Sequence, residues 1–222
     1  MPAPACWASF DCYGTLVDWN GGIGSEPARL WPAEDGVHLL ERYHEIEPRV
    51  ELDGALPYRR VLAESLRLLA ESERLELDPA EEQALGDALP RWPVFPEVPG
   101  ELRELRERGW RLAILSNTDP DFLEASLETI GVPVDARITA ADAGSYKPAY
   151  GHWERLFERD DVDRRRHVHV AASAFHDLAP TGELGVPAVW INRLGEASEL
   201  PRAGELPTLS RLADLLDRIR PA

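Results

Sequence analysis

The stretch Ser9-Phe10-Asp11-Cys12-Tyr13-Gly14-Thr15-Leu16-Val17-Asp18 decides the fold of this chain. The apolar residues Trp7, Ala8 and Phe10 predict a buried strand that ends on the carboxylate of Asp11. Glycine at position 14 permits a sharp turn, in which backbone N–H groups can gather around whatever this carboxylate attacks. Open α/β sheets bind their ligands at the carboxyl ends of parallel strands. The alternative interpretation is an aspartate that caps a turn after an edge strand.

Short apolar runs alternate with helical stretches along most of the chain, which is typical of a parallel sheet with crossover helices. We therefore predict a doubly wound, Rossmann-like α/β core. The predicted strands are Trp7–Phe10, Arg111–Leu115, His167–Ala171 and Ala188–Ile191. Helical periodicity predicts core helices over Pro99–Arg108, Pro120–Ile130, Ala149–Glu158, Asp177–Leu184 and Leu206–Ile219.

Residues 17–92 break this alternation, because they carry helical spacing and almost no strand signal. Helices are expected over His38–Glu47, Tyr58–Leu69 and Pro79–Leu89. We predict a helical cap over residues 17–92, inserted after the first strand, and a core formed by residues 1–16 and 93–222. The proline-rich segment Pro90–Pro96 would be a stiff return linker. The alternative is that these helices only enlarge a single domain.

Composition excludes several classes of protein. A net charge of −16 over 222 residues argues against a nucleic-acid partner, since the phosphate backbone favours lysine and arginine clusters. Neither a membrane-spanning apolar run nor a secretory amino terminus is present, so we expect no membrane partner and a cytoplasmic location. The two cysteines, Cys6 and Cys12, are expected to be reduced thiols.

Three later segments carry polar residues that follow a predicted strand or precede a predicted helix. Ser116 and Asn117 end the second predicted strand, Lys147 precedes a helix-starting proline, and Ser173, His176 and Asp177 follow the His167–Ala171 strand. Because the carboxyl ends of parallel strands share one edge, we expect these side chains near Asp11. Each segment alone also fits ordinary turn or helix-cap chemistry.

Together, in this order, the four segments resemble the motifs of the haloacid dehalogenase superfamily. The resemblance implies that Asp11 is a covalent nucleophile and that Thr15 orients its carboxylate by a hydrogen bond. It further implies that Ser116 and Asn117 hold the group under attack, while Lys147 balances negative charge.

Most members of this superfamily are magnesium-dependent phosphatases with a second aspartate, the general acid, two residues after the nucleophile. Here that position is Tyr13, and the fourth motif keeps only Asp177 after Ala171-Ala172. A phosphate ester needs an acid for its leaving group and a metal for its charge, whereas a departing halide needs no proton. The chain is most similar to the 2-haloacid dehalogenase branch, which also has tyrosine at this position.

This resemblance implies a hydrolase that attacks the halogen-bearing carbon of a short 2-haloacid without a metal or other cofactor. The aspartyl ester would then be hydrolysed to a 2-hydroxy acid and halide. A small halocarboxylate would be the substrate, and Tyr13, Ser173 and His176 are further candidates for binding it. The family resemblance is also compatible with a homodimer.

The dehalogenase branch binds the leaving halide with a cap arginine, and Arg42 lies at the equivalent distance after the first motif. The alternative is that Arg42 forms a surface ion pair on an acidic helix.

The dehalogenase branch also positions the hydrolytic water with a serine and an asparagine, where this chain has Ala172 and Ala174. Ser173, His176 or Asp177 would then supply the base, and histidine titrates near neutral pH.

Two alternative functions remain open from the sequence. One is a phosphatase with an altered site that requires Mg²⁺. The other is a catalytically weak member that binds a small carboxylate or a protein partner, which the alanines of the fourth motif would favour.

Overall fold

A six-stranded parallel sheet forms the centre of the computed structural model, which describes residues 5–52 and 56–219. The order of the strands across the sheet is β3-β2-β1-β4-β5-β6, and every neighbouring pair is parallel. This confirms the predicted doubly wound α/β class. The strands are β1 (Cys6–Phe10), β2 (Trp110–Ser116), β3 (Ala136–Thr139), β4 (His167–Ala171), β5 (Ala188–Ile191) and β6 (Gly204–Leu206).

The central strand β1 explains where the polar motifs meet. All five of its residues are buried, as expected for a parallel strand covered on both faces. Phe10 pairs with Ile114 of β2 and with Val170 of β4, so these three strands end at the same edge. The segments that follow them therefore lie side by side.

Two edge strands were missing from the sequence prediction. β3 is short and partly exposed, and β6 has only three residues. The predicted helix over Leu206–Ile219 was wrong at its start, because Leu206 pairs with Ile191 of β5 and the helix begins at Leu212. The apolar stripe that suggested a longer helix comes partly from the turn before it, where Leu209 is buried.

Among the described residues of the core, six α-helices accompany the sheet. The helix predicted from Asp177 differs most from the structure: Ala174–Leu178 form a π-helical turn, and the α-helix starts at Ala179. The core helices are α5 (Val98–Glu107), α6 (Pro120–Ile130), α7 (Ala140–Ala143), α8 (Gly151–Phe157), α9 (Ala179–Leu184) and α10 (Leu212–Ile219).

Residues 17–92, called the cap below, are helical and connect β1 to β2. They contain α1 (Trp19–Leu30), α2 (Gly36–Leu52), α3 (Tyr58–Glu73) and α4 (Ala84–Ala88). The predicted helix Pro79–Leu89 is instead divided, with 3₁₀ turns on both sides of α4. The two connections to the core run together, since Asp18 N donates to Pro93 O at 2.7 Å and Phe95 N donates to Leu16 O at 3.0 Å. The division into two domains remains a prediction.

Cys6 and Cys12 are both buried free thiols. Among the described residues, none of the helices combines the length and the apolar character needed to cross a membrane.

Candidate active site

Asp11 lies where β1 leaves the sheet and turns at Gly14. Gly14 has a φ of +86°, a backbone conformation that glycine adopts without strain. The Thr15 hydroxyl donates to Asp11 Oδ2 at 2.9 Å and accepts from Ala172 N at 2.9 Å. The amide of Gly14 donates to Val17 O at 2.8 Å, so this N–H serves the turn itself. Thr15 instead holds Asp11 in place.

Lys147 connects Asp11 to the fourth motif. Its ammonium donates to Asp11 Oδ1 at 2.8 Å, to Asp177 Oδ1 at 2.7 Å and to Leu115 O at 3.0 Å. An ammonium has three N–H donors, so all of them are used. Lys147 is only 2% exposed, and two carboxylates therefore share one buried cation.

Burial and charge pairing shift the pKa values of Asp11, Lys147 and Asp177 in different directions. Burial raises the pKa of Asp11, because its charged form loses hydration. Burial would lower the pKa of Lys147, but Asp11 and Asp177 together raise it above its ordinary value. Burial would likewise raise the pKa of Asp177, but Lys147 and His169 hold it well below its usual range. Asp11 is therefore the more basic of the two carboxylates.

A chain of buried hydrogen bonds continues behind Asp177. His169 Nε2 lies 3.0 Å from Asp177 Oδ1, so Nε2 carries the proton and donates it. His169 Nδ1 lies 2.7 Å from the Ser9 hydroxyl, and Ser9 Oγ lies 2.7 Å from His167 Nε2. Burial lowers the pKa of His167 to about 3, which keeps this ring neutral. The chain fixes the orientation of the Asp177 carboxylate.

The two polar residues of the second motif, Ser116 and Asn117, differ in what their side chains contact. Asn117 binds the backbone of Lys147, because its Nδ2 donates to Lys147 O at 3.0 Å and its Oδ1 accepts from Lys147 N at 2.6 Å. The Ser116 hydroxyl is enclosed and has no hydrogen-bond partner among the described residues. Asn117 thus positions Lys147, whereas the Ser116 hydroxyl takes no part in this contact.

Tyr13 stands where phosphatases of the superfamily carry their second aspartate. Its ring is 6.3 Å from the ring of Tyr58 and 5.8 Å from that of Trp92, measured between centroids. Its hydroxyl lies 2.9 Å from Ser126 Oγ in α6. Burial raises the pKa of this phenol, so it stays neutral. Tyr13 therefore contributes an aromatic wall beside Asp11, with its hydroxyl held by α6.

The turn after β4 brings Ser173 and His176 to the site. Ser173 Oγ accepts from His176 N at 3.0 Å and lies 3.2 Å from His176 Nδ1. His176 Nε2 lies 3.4 Å from Glu51 Oε2 of α2. The turn is π-helical, a feature frequent at functional sites. Core and cap thus meet at His176.

A cavity of about 1010 Å³ lies between the strand ends and the cap. Its lining includes residues of all four predicted motifs: Asp11, Tyr13, Ser116, Asn117, Lys147, Ser173, His176 and Asp177.

The cap contributes a carboxyl group, Glu47, to the same cavity. Trp19 Nε1 donates to Tyr58 OH at 3.1 Å, and Tyr58 OH donates to Glu47 Oε1 at 2.9 Å. Burial, with a contribution from Glu51, raises the pKa of Glu47 to about 8. This cap carboxyl is therefore neutral at neutral pH.

Arg42 does not line the cavity, so the structure does not support it as the halide ligand. Its Nε lies 3.0 Å from Glu73 Oε1, and its Nη1 pairs with Glu45. The side chain is 35% exposed. Its position is the surface ion pair that we considered as the alternative, because the acidic residues of α2 and α3 hold the guanidinium on the outer face.

Arg193, at the end of β5, lines the cavity instead. Its Nη2 donates to Thr15 O at 2.8 Å and lies 2.8 Å from Glu97 Oε1. The guanidinium packs 3.5 Å from the ring centroid of Phe95. Arg193 and Lys147 are the arginine and lysine side chains of the described cavity wall.

The residues present do not suit Mg²⁺, the metal of the phosphatase alternative. Magnesium requires several oxygen ligands in octahedral geometry. Ala172 carries only a methyl group where a phosphatase has an acidic ligand, and Lys147 already binds both Asp11 and Asp177. Within residues 5–52 and 56–219, no cluster of three or more His, Cys, Asp or Glu side chains could hold a metal ion.

Several residues of the site were missed from the sequence: Ser9, Glu47, Glu51, His167, His169 and Arg193. Only the histidines carried a readable signal. His167 and His169 alternate with valine in a strand whose five residues are all buried, which places both rings on one face. The other residues are single polar side chains, and their contacts form only in the folded chain.

The fold and the strand-end residues define a hydrolase of the haloacid dehalogenase type. The profile of the haloacid dehalogenase-like hydrolases matches residues 8–171. The chain therefore belongs to this family.

Relatives within the family agree with this assignment. The chain is 30% identical over 196 residues to an (S)-2-haloacid dehalogenase of Pseudomonas sp. (strain YL), covering 86% of this chain and 84% of that protein. It is 28% identical over 194 residues to haloacetate dehalogenase H-2 of Moraxella sp. (strain B), covering 85% and 86%. A crystal structure of an L-2-haloacid dehalogenase superposes with a TM-score of 0.84 at 25% identity, covering 97% and 100%.

Proposed function

We propose that this hydrolase is a 2-haloacid dehalogenase that converts a short halocarboxylate into a 2-hydroxy acid through an ester on Asp11. The observation that carries the proposal is the environment of Asp11. A desolvated carboxylate is held by Thr15 and Lys147 at the cavity, and Tyr13 stands two residues later in place of an acid. Such a site favours displacement at carbon, since a halide leaves without a proton.

In the first step, Asp11 Oδ2 or Oδ1 attacks the halogen-bearing carbon, the carbon–halogen bond breaks, and halide leaves with the bonding pair. Two anions must approach each other, so positive charge near the reacting atoms lowers the barrier. Lys147 supplies this charge at 2.8 Å from Asp11. Arg193, which pairs with Glu97, contributes a second cationic side chain to the cavity wall.

The remaining groups bind the substrate. The unpartnered Ser116 hydroxyl is the polar group best placed to take the substrate carboxylate or the halide. Tyr13 and Trp19 line the cavity with aromatic surface that suits the alkyl part of a small haloacid. Glu47, neutral because its pKa is about 8, does not repel the substrate carboxylate at neutral pH.

The two relatives named above support this substrate class, because their names record activity on 2-haloacids and haloacetate. No cofactor takes part in the proposed reaction. In the second step, water attacks the carbonyl carbon of the Asp11 ester and regenerates the carboxylate.

The test is halide release from chloroacetate, fluoroacetate and 2-chloropropionate in the presence of EDTA, with wild-type protein and the Asp11→Asn variant. We expect release that survives the chelator and falls by at least about 10³-fold in the variant, as for loss of a nucleophile. Phosphate release from p-nitrophenyl phosphate that requires Mg²⁺, with no halide release, would instead show the altered phosphatase. Binding of acetate without turnover of any substrate would show the binding protein.

A further inference from the structure

Three polar side chains lie buried along β1 and β4, where parallel strands covered on both faces normally carry apolar residues. Ser9, His167 and His169 are each completely buried. Polar groups in such a position cost free energy unless they are hydrogen-bonded. None of the three lines the described cavity, so the proposed reaction gives them no contact with the substrate.

These three side chains lie on one face of the sheet. Ser9 pairs with His169 in the register between the two strands, and His167 lies two residues earlier on the same face. The Ser9 hydroxyl is 2.7 Å from His169 Nδ1 and 2.7 Å from His167 Nε2. Trp153 of α8 packs edge-on against His169, with 5.3 Å between ring centroids. Phe157 of the same helix packs against His167 at 5.2 Å. Both rings are therefore held in place by a hydroxyl and by aromatic packing.

The carboxylate of Asp177 is held through one of its two oxygens. Its Oδ1 lies 3.0 Å from His169 Nε2 and 2.7 Å from Lys147 Nζ. Its Oδ2 is buried and has no hydrogen-bond partner among the described residues. Without His169, this carboxylate would keep only the bond to Lys147 and would be free to rotate.

Rotation of Asp177 would reach the nucleophile through Lys147. The ammonium of Lys147 divides its three N–H groups among Asp177, Leu115 O and Asp11 Oδ1, the last at 2.8 Å. A change at the first partner therefore moves the positive charge relative to Asp11. That charge lowers the barrier for the approach of two anions. Misplacement of a reacting group by about 1 Å costs about 10²-fold in rate.

We propose that His169, held by Ser9 and His167, is a positioning residue for the attack by Asp11, a role that rests on the proposed function. Its ring holds Asp177 Oδ1 in the place that keeps Lys147 on Asp11. His169 neither gives nor takes a proton in this step and does not touch the substrate. Its loss therefore slows ester formation and leaves substrate binding unchanged.

Single-turnover kinetics with excess enzyme and 2-chloropropionate test this role in two variants. His169→Leu removes the donor to Asp177, and the rate of halide release at saturation should fall by about 10–10²-fold. The enzyme concentration that gives half of the maximal rate should not change, because His169 lies outside the cavity. His169→Gln carries an amide N–H at about the reach of imidazole Nε2 and should recover most of the lost rate.

Matched variants separate positioning from stability. Val168 is also completely buried and lies between the two histidines, with its side chain on the opposite face of β4. Val168→Ala should unfold at a lower urea concentration than wild type yet keep the single-turnover rate. If His169→Leu does not fold, His169→Asn replaces it, because its amide is one carbon too short to take the place of Nε2.

The role of Ser9 has its own variant. Ser9→Ala leaves His169 Nδ1 and His167 Nε2 without the hydroxyl between them. The single-turnover rate should fall less than in His169→Leu, since the donor to Asp177 remains. An unchanged rate would overturn the part of the proposal that assigns Ser9 to holding the ring.

The possible results also distinguish this proposal from the proposed function. A folded His169→Leu that is less stable but as fast as wild type would mean that the histidine only stabilises the core. A weaker half-saturation with an unchanged maximal rate, or a His169→Gln as slow as His169→Leu, would likewise overturn the positioning role. In these cases the dehalogenase proposal stands. If wild-type protein releases no halide, both proposals are overturned.

Discussion

The ammonium of Lys147 lies 2.7 Å from a carboxylate oxygen of Asp177, and both side chains are buried. The same nitrogen lies 2.8 Å from Asp11. This arrangement gives Asp177 the role of orienting and balancing Lys147, while Asp11 keeps its second oxygen on Thr15 and faces the cavity.

Removal of the shared cation should affect stability and activity together. Lys147→Met leaves two buried carboxylates without their partner, which costs about 3–5 kcal/mol when a buried pair is broken. Halide release should fall to background, since Asp11 would bind a proton more readily. Urea unfolding and halide release measure the two effects. Lys147→Arg, which keeps the charge, should regain part of the stability, and a Lys147→Met variant as stable as wild type would contradict the ion-pair geometry.

The pH dependence of substrate capture should report Glu47. Below its pKa of about 8 this carboxyl is neutral, and above that value its charge repels the substrate carboxylate. We therefore expect kcat/KM for 2-chloropropionate to fall as the pH rises through this range. Glu47→Gln should remove this alkaline limb while leaving the value at neutral pH nearly unchanged.

Glu47 should also change stability with pH in a direction fixed by its pKa. The folded chain holds this proton up to a pH of about 8, whereas the ordinary value for a glutamate is 4.5. Burial of the charged form therefore lowers the free energy of unfolding as the pH rises through that window. Urea unfolding at several pH values should show a shallower decline in Glu47→Gln, and equal slopes would contradict the raised pKa.

The hydrogen bond from His169 to Asp177 should stabilise the ionised carboxylate. His169→Phe removes the donor and should cost about 1–3 kcal/mol at neutral pH, the range for a buried group left unsatisfied. Because the pKa of Asp177 is depressed, this contribution is present above 3.8, the ordinary aspartate value, and is lost as the pH falls further. The stability difference between variant and wild type should therefore narrow below that pH. A difference that stays constant with pH would mean that only packing was lost.

Arg42 and Arg193 should behave in opposite ways. Arg42→Gln removes an exposed ion pair, so kcat/KM should stay within about twofold and stability within about 1 kcal/mol of wild type. Arg193→Gln removes charge from the cavity wall and a bond to Thr15 O, so KM for the halocarboxylate should rise. Steady-state kinetics compare the two directly. A large loss of kcat/KM in Arg42→Gln, with no change of KM in Arg193→Gln, would instead indicate that Arg42 of the cap binds the halide.

The sequence predicted the central strands and the order of the motifs, because buried parallel strands and their polar ends leave strong local patterns. It did not predict β3 or β6, since short edge strands have few buried residues. The sequence also did not show which side chains reach the cavity in the folded chain. Arg42 has the spacing of a halide ligand, yet Glu45 and Glu73 hold it outside the cavity, and Glu73 belongs to a different helix.

The same limit applies to contacts between the cap and the fourth motif. The alanines of the fourth motif showed from the sequence that a polar group was missing. They could not show that Glu51 of α2 would lie 3.4 Å from His176, because 125 residues separate the two in the chain. Such contacts depend on how the cap closes over the sheet.

The origin of the oxygen in the product tests the central claim, that Asp11 is a covalent nucleophile, most directly. Excess enzyme is allowed a single turnover of 2-chloropropionate in water enriched in oxygen-18, and both the peptide containing Asp11 and the 2-hydroxy acid are analysed by mass spectrometry. We predict heavy oxygen in the Asp11 carboxylate and ordinary oxygen in the product hydroxyl. Heavy oxygen in the product with none in Asp11 would contradict it, because water would then have attacked the substrate directly.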